Sequence, residues 1–445
     1  MTKRTKVAVI GSGISGMSAA WALRHTHDVT LFEANDRFGG HSYTVDIQPG
    51  GDDVSVDVGF IVCNPLNYPN FMAFMDHLQV ETIQSDMSFA VSDPEGFEWS
   101  SNPAGLFAQK RNLINPKFWS LISEILTFNR KAIEDVMAAT IPSNISLGEY
   151  LDVIGMSDNF REQYILPMGA AIWSTPEADM QDYPAASFLQ FFNNHRLLHR
   201  ERPKWRTVKH GSQSYVKRLI QDLGDRAVSG ARVEAVSRST NGIEISVNGD
   251  ILHFDEVVLA GHAFQSRELL GDGFEHQESV IAPIQSTHNR AFLHSDRSLM
   301  PKRKSAWAAW NVLRGEQGQN VTLSYWMNIL QDLQTDKDIF VTLNPDEPPA
   351  ADKTYGEFDF THPLFNQIAA ERVSDLKRIN GRDGLWFAGA WMGHGFHEDG
   401  LKSGLEVAMS LGAQLPWEVV GVTPRDRSES GHARENVSAP ESVIA

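Results

Sequence analysis

The sequence predicts an α/β fold: a parallel, doubly wound sheet interrupted by a second, discontinuous domain of mixed sheet and helices. Three observations predict it. The opening KVAVIGSGISGMSAAWALRHTHDVTLFEA runs from an apolar strand through a glycine turn and a small-residue helix into a second strand, the βαβ start of a parallel sheet. The ending GLWFAGAWMGHGFHEDGLKSGLEVAMSLGAQL repeats the order of buried strand, loop and helix, so the chain returns to the same sheet after a long excursion. The length of 445 residues exceeds what one hydrophobic core supports, which calls for a second domain or a large insertion.

Between those ends the elements follow in order. Residues 64–84, centred on YPNFMAFMDHLQV, carry a helical pattern, and MSFAVSDPEGFEWSS alternates and turns at DPEG like a hairpin. Residues 116–200 are mostly helical: PKFWSLISEILTFNRKAIEDVMAA has Pro near its start and apolar residues three and four apart. Ser146 and Glu149 make a capping-box pattern, and Pro167 interrupts the next helical run. KHGSQSYVKRLIQDLG predicts a glycine turn and an amphipathic helix. A meander follows, with turns at TNG and NGD and a final apolar strand EVVLAG. SAWAAWNVL and NVTLSYWMNIL read as strands. The expected division is therefore 1–85, 205–262 and 375–422 for the nucleotide domain, 86–204 and 263–374 for the substrate domain, and a disordered polar tail over 423–445.

Composition narrows the classes. Apolar residues at 42% and charged residues at 21% are those of a folded globular chain. A formal charge of -17 argues against a nucleic-acid partner, because phosphate backbones are met by basic faces. One cysteine, Cys63, rules out an internal disulfide and any CxxC metal or redox pair, suits a reducing cytosol, and reads as packing. Redox chemistry here needs a bound cofactor. The basic start runs into the glycine loop too soon for a signal peptide and reads as strand one. No apolar run is long enough to span a membrane, which leaves peripheral contact with the inner membrane open.

GSGISG, from Gly11 to Gly16, stands directly after a strand and opens a helix. Gly11 permits the tight turn, Gly13 lets backbone approach a pyrophosphate, and Gly16 allows helix to pack closely on sheet. Glu33 ends the second strand, where a carboxylate accepts hydrogen bonds from ribose hydroxyls. The loop by itself does not separate NAD from FAD. The following DRFGGHSYTV adds a second glycine pair, Gly39 and Gly40, for the same cofactor.

VIGSGISGMSAAWAL, LFEANDRFGGHSYTV, VDVGFIV and the closing WFAGAWMGHGFHEDGLKSGLEVA resemble the amine oxidase and phytoene desaturase superfamily of flavoproteins. More narrowly, DVGFIVCNPLNYPNF, GAAIWSTP, LMPKRKSAWAAWN and GFHEDGLKSGLEVA resemble a bacterial group of FAD-binding oxidoreductases often encoded beside cyclopropane-fatty-acid synthase relatives. The resemblance implies an amine-oxidase-like architecture with a Rossmann-type FAD-binding domain. It implies that Gly11, Ser12, Gly13, Ser15, Gly16 and Glu33 hold the ADP half of noncovalent FAD. Gly40 and Ser42 would approach the pyrophosphate, Gly59, Phe60 and Ile61 would lie near the flavin, and Val233 would meet the adenine through its backbone. Gly389, Gly400 and Leu401 match the closing motif, where a helix N-terminus faces the flavin. Three departures stand out: His41 replaces an arginine after the glycine pair, Cys63 is not where covalent members tether flavin, and His397 falls where amine oxidases place an aromatic wall.

The reading that follows is hydride transfer from a C–H bond of a hydrophobic substrate to the flavin, of desaturase or oxidase type, with an unsaturated or methylated fatty acyl chain implied by association. No second glycine-rich nucleotide loop is present, so electrons pass to dioxygen, a quinone or another carrier unless they return to the substrate. His397 and Glu398 are the candidate proton handlers, with His397 as pocket wall the other possibility. Rival readings are a redox-neutral isomerase, an amine oxidase, an NAD dehydrogenase, and an FAD-stabilised partner of a lipid-modifying enzyme. A metal site at His394 and His397 is disfavoured, since a glycine-broken loop lacks the spacing of an HExxH helix. Asp399 reads as a helix cap, and the apolar helical insertion reads mainly as core with a substrate tunnel as the functional alternative. Lys302 and Lys304 read as a solvated loop, and KHGSQSY lacks the elbow a hydrolase needs.

Overall fold

The structure, a computed structural model, describes residues 4–142, 144–173, 177–201, 203–315 and 321–425. The expected tail falls outside the described residues beyond its first three positions. Strand β1 (Lys6–Ile10), helix α1 (Ile14–Leu23) and strand β2 (Asp28–Phe32) form the expected opening unit. They belong to a five-stranded parallel sheet in the order Ala227–Val228, β2, β1, Glu256–Leu259, Leu385–Phe387. Val7, Ala8 and Val9 are fully buried, because elements cover both faces of this sheet and leave no face for a polar alternation.

The meander Val233–Ser239, Gly242–Val247 and Asp250–Phe254 lies against this unit. Its second turn holds only Asn248 (φ 51°) and Gly249 (φ 86°), the pair of positive angles that matches strand twist in a two-residue hairpin.

A second, seven-stranded sheet has the order Thr354–Pro363, Ser286–His294, Phe340–Leu343, Val321–Trp326, Trp310–Arg314, Phe89–Ser92, Glu98–Ser100. Every neighbouring pair is antiparallel except Trp310–Arg314 with Phe89–Ser92. Helices Pro116–Ala138, Leu147–Val153, Leu166–Trp173 and Ala185–Asn194 bury Phe118, Leu121, Phe128, Phe188 and Phe192 in one core with Val91, Val312 and Val341 of the sheet. The Ser146–Glu149 capping box forms in both directions. Pro167 does not break its helix. A wide turn at Arg161–Ile165 leads into it, and the Gln163 carbonyl that a residue 167 N–H would have bonded accepts the Trp99 indole instead at 3.2 Å.

Two further expectations are corrected. Only Pro69–Leu78 of the 64–84 stretch is helical: the Asn64 side chain accepts from Leu66 N and Asn67 N in a turn, and Thr82–Gln84 pairs with Arg206–Val208. The boundary at 262/263 also moves. Ala263, Phe274, Val280, Ile281 and Ile284 share a core with Val236, Ile243 and Leu376, so by packing residues 263–284 go with the nucleotide half.

Candidate cofactor and active site

The glycine loop has the shape of an anion seat. Gly11 takes φ 103° while its N–H donates to Phe32 O at 2.9 Å, and a side chain at Gly16 would fall on the Gly11 carbonyl oxygen. The first helical bond of α1 runs from Met17 N to Gly13 O at 2.9 Å, so the N–H groups of Ile14, Ser15 and Gly16 have no acceptor within the helix. The first turn holds no acid, and a Cβ built on Gly13 would meet nothing within 4 Å. A Cβ on Gly40, which has φ 57°, would sit 3.0 Å from Gly13 Cα, so the second glycine pair closes against the first.

Ser12 ties the pieces together. Its hydroxyl donates to Glu33 Oε2 at 2.5 Å and accepts from Gly39 N at 3.1 Å. Glu33 is buried and also accepts from Ser12 N, Asn35 N and Asn35 Nδ2. Its backbone pairs with Val228 O and Ala231 N, and Gly230 N donates to Asn35 O, which brings Val233 at the start of the meander beside the end of β2. These residues fit a dinucleotide: open space over Gly13, unpaired helix N–H groups for the phosphates, and a carboxylate at the ribose end. The Ser15 side chain does not join them. Its Oγ is 3.1 Å from where a Gly400 Cβ would stand, so it faces the closing helix and offers the seat only backbone.

On the other side of the loop, a side chain at Gly59 would fall on His41 O, and Phe60 N donates to that oxygen at 2.8 Å. The Phe60 ring stacks on His397 with centroids 3.7 Å apart and planes 9° apart, while Phe71 meets the imidazole edge-on. His397 Nε2 is 2.8 Å from Tyr215 OH, which is hydrogen-bonded in turn to Ser42 Oγ. Ser42 therefore meets Tyr215 through its hydroxyl. Burial pushes the His397 pKa down to about 3, so the imidazole is neutral at physiological pH. Ile61 is buried and its carbonyl accepts from Thr207 Oγ1 at 2.7 Å.

Glu398 is not a free acid or base. Oε1 accepts from Asn70 N at 3.1 Å and Asn70 Nδ2 at 2.7 Å, and Oε2 accepts from Phe71 N at 2.9 Å. It caps Pro69–Leu78, whose own N-cap residue Tyr68 makes no side-chain bond. Burial raises its pKa while those donors pull the other way. Asp399 closes the start of helix His397–Ser410, accepting from His394 N and Phe396 N at 3.1 Å each. Gly400 is needed for helix packing. A Cβ there would press on Ile14 Cγ2 at 2.8 Å, and one on Gly404 would fall on Ser15 O, so this glycine pair seats the closing helix on α1. Leu401 is fully buried core, and Gly389 leaves room for the Trp391 indole while its N–H donates to Ser403 Oγ. The helix N-terminus still presents N–H groups of His397, Glu398 and Asp399, because the first bond along it is Gly400 N to Phe396 O.

Three further features lie outside what the motifs indicated. His41, His262 and His362 meet with ring centroids 5.5 and 5.6 Å from His41, and His41 Nε2 is buried without a partner. Burial holds His262 and His362 down at about 4, with a smaller push from His288 on His262 and from His262 on His362. These rings come from well-separated segments, so no local spacing announced them. Among the described residues no group of three or more metal-ligating side chains is arranged to hold an ion. Second, Asp57 is buried under bonds from Thr44 Oγ1, Ser212 N, Ser212 Oγ and Gln331 Nε2, and burial raises its pKa to about 6. Third, an aromatic run leads from Phe396, stacked on Phe191 at 4.9 Å, through Trp173 to Tyr183. There a cavity of about 490 Å³ opens, bordered by Phe365 and by Glu149, Asp179 and Asp182. Cys63 is packed in the core with its pKa pushed up to about 12 by burial, while Lys302 and Lys304 are exposed.

Comparison with known proteins agrees with this geometry. The profile described as Flavin containing amine oxidoreductase matches residues 14–291. A lysine-specific histone demethylase 1B homolog from Caenorhabditis elegans is 48% identical over 67 residues, a match spanning 15% of this chain and 8% of that protein. Among solved structures, putrescine oxidase bound to putrescine superposes with a TM-score of 0.66 at 16% identity, covering 92% of this chain and 99% of that one. A CLA-producing fatty acid isomerase from P. acnes gives 0.65 at 14%, covering 92% and 99%. Cyclohexylamine oxidase from Brevibacterium oxydans IH-35A gives 0.66 at 14%, covering 92% and 98%. At these identities the likeness is one of fold.

Proposed function

The chain belongs to the flavin containing amine oxidoreductase family and is a flavin-dependent oxidoreductase with FAD as its cofactor, and on that footing we propose that it removes a hydride from a C–H bond of a hydrophobic substrate. The observation that carries this reading is the aromatic run from Tyr183 and Trp173 through Phe191 to Phe396, the residue directly before His397. FAD, when bound, supplies the two-electron acceptor. The protein's part is to hold the substrate carbon in place and keep water away from it, which suits apolar walls better than a charged acid or base. His397 acts in this scheme as a neutral wall pinned by Tyr215, and the unpaired N–H groups at the start of His397–Ser410 stabilise negative charge.

The substrate class we propose is an acyl chain, unsaturated or methyl-branched, carried as an ester. A free carboxylate entering past Glu149, Asp179 and Asp182 would meet like charge. The same three acids favour a second reading, oxidation of a hydrophobic amine. The reducing side of a membrane is the proposed setting, in keeping with a lone, buried cysteine. Anaerobic mixing of the yellow holoprotein with methyl oleate, oleate and cyclohexylamine separates the readings. Bleaching of the flavin band by the ester supports acyl oxidation, and bleaching by the amine alone moves the assignment to amine oxidation. A shifted double bond with no bleaching makes the enzyme an isomerase.

A further inference from the structure

We propose that the tip formed by Lys110–Ile114 and the start of helix Pro116–Ala138 docks on an anionic bilayer surface. Ile114 is 85% exposed, and Leu113 and Trp119 are about half exposed at 53% and 48%. Leu126, two helical turns beyond Trp119 on the same face, is exposed as well. Burial would be the default for such side chains in a chain with this much core. The tip is firmly built: the Trp119 indole donates to Leu113 O at 3.0 Å, Asn115 caps the helix by accepting from Lys117 N, and Phe118 is fully buried beneath.

Charge selects the occupant. The protein carries -17 overall with 56 acidic residues, yet from Trp99 to Ser123 there is no Asp or Glu, while Lys110, Arg111 and Lys117 are all exposed. A second basic loop, Lys302–Lys304, is exposed next to this segment, since a Cβ on Gly105 would stand 3.1 Å from Ser305 O. Arg303 and Lys304 are partly answered by Glu98 and Asp338. Exposed aliphatic residues backed by a tryptophan and flanked by Lys110, Arg111 and Lys117, with Glu95 and Asp158 the exposed acids at the margin, match the headgroup boundary of a negatively charged membrane, where apolar side chains enter the acyl layer and basic side chains reach phosphates. A protein partner would more usually meet a concave or flat apolar patch than an isolated tip. The proposal stands apart from the choice of reaction.

The test uses the full-length, FAD-loaded protein in flotation with vesicles of phosphatidylcholine, with and without 30% phosphatidylglycerol. The wild type is expected to float with the anionic vesicles, more weakly as salt is raised. Neutralising Lys110, Arg111 and Lys117 to Gln together lowers partitioning by about a hundredfold, at about fivefold for each charge removed. Leu113→Ser with Ile114→Ser lowers it by more than about tenfold. All five side chains are exposed, so flavin absorbance is expected to stay unchanged in both variants. Failure of the wild type to float with anionic vesicles overturns the proposal, as does wild-type partitioning of both variants. Sedimentation velocity covers the other occupant: a wild-type dimer that Leu113→Ser with Ile114→Ser dissociates makes the tip a contact between copies and also overturns it.

Discussion

Glu398→Ala separates a capping carboxylate from a catalytic one. In the wild type the carboxylate satisfies Asn70 N, Phe71 N and Asn70 Nδ2, two of them first-turn N–H groups of a helix whose own N-cap side chain makes no bond. Removal leaves buried donors facing a small cavity, at about 1–3 kcal/mol for an unsatisfied group, and takes away the charge that complements the helix N-terminus at about 0.3–1 kcal/mol. A total near 3 kcal/mol is expected. With an unfolding entropy of about 2.1 cal/mol/K per residue, this chain would melt about 3 °C lower for that loss. Urea unfolding of the holoprotein measures the first quantity and calorimetry the second, while amide hydrogen exchange reports whether protection falls first at Asn70 and Phe71. Unchanged stability together with a flavin that substrate reduces a hundredfold more slowly would refute the capping assignment and restore Glu398 as a proton handler.

Three other outcomes follow from the same geometry. Gly404→Ala places a methyl on Ser15 O and Ser18 Oγ, so α1 must shift at its phosphate end. An overpacking cost of about 1–3 kcal/mol weakens FAD binding by roughly 5- to 150-fold, measured by fluorescence titration of the apoprotein, and wild-type affinity would show that the helix contact does not position the seat. Tyr215→Phe removes the hydroxyl between Ser42 and His397, so FAD is retained, stability falls by about 1–2 kcal/mol, and the flavin spectrum shifts as the imidazole loses its anchor. Acid weakens the fold before carboxylates titrate. His195, His262, His294 and His362 are pushed down to about 4 and His397 to about 3 by burial, so the unfolded chain binds their protons first. Stability present above pH 6.5 is lost as pH falls toward 4, at about 1.4 kcal/mol per pH unit for each ring. Asp57, raised to about 6, works in the opposite sense below that pH and offsets one of them. Urea unfolding at pH 7.5 and pH 5.0 is expected to differ by several kcal/mol, and equal midpoints would show that these rings are not held neutral.

Much of the frame was readable because it is local. The run KVAVI beside GSGISG, the acid ending LFE, the Ser146–Glu149 cap and the Asn248–Gly249 turn each declare themselves within a few residues, where backbone sterics and periodicity act. Boundaries failed where neighbours decided them. Residues 263–284 have ordinary helical spacing, and only packing against Val236 and Leu376 assigns them to the nucleotide half.

Side-chain duties were less legible. GFHEDGLKSG marks the closing helix by its glycines, and resemblance marks it as the cofactor's neighbour, but nothing within those ten residues says that Glu398 meets Asn70, 328 positions away, or that His397 meets Tyr215, 182 positions away. A carboxylate and an imidazole keep the same intrinsic chemistry in either use. What turns one into a cap and the other into a neutral ring held by Tyr215 is burial and the partners that burial brings, and those exist only once the two ends of the chain have packed together. The sequence by itself determined the parallel sheet and the nucleotide loop, since strand period, turn and helix start are properties of short segments. The tertiary structure alone decided the Ser42–Tyr215–His397 chain, the meeting of His41, His262 and His362, and the seating of α1 on Gly400 and Gly404, because each depends on distances between segments that no spacing along the chain encodes.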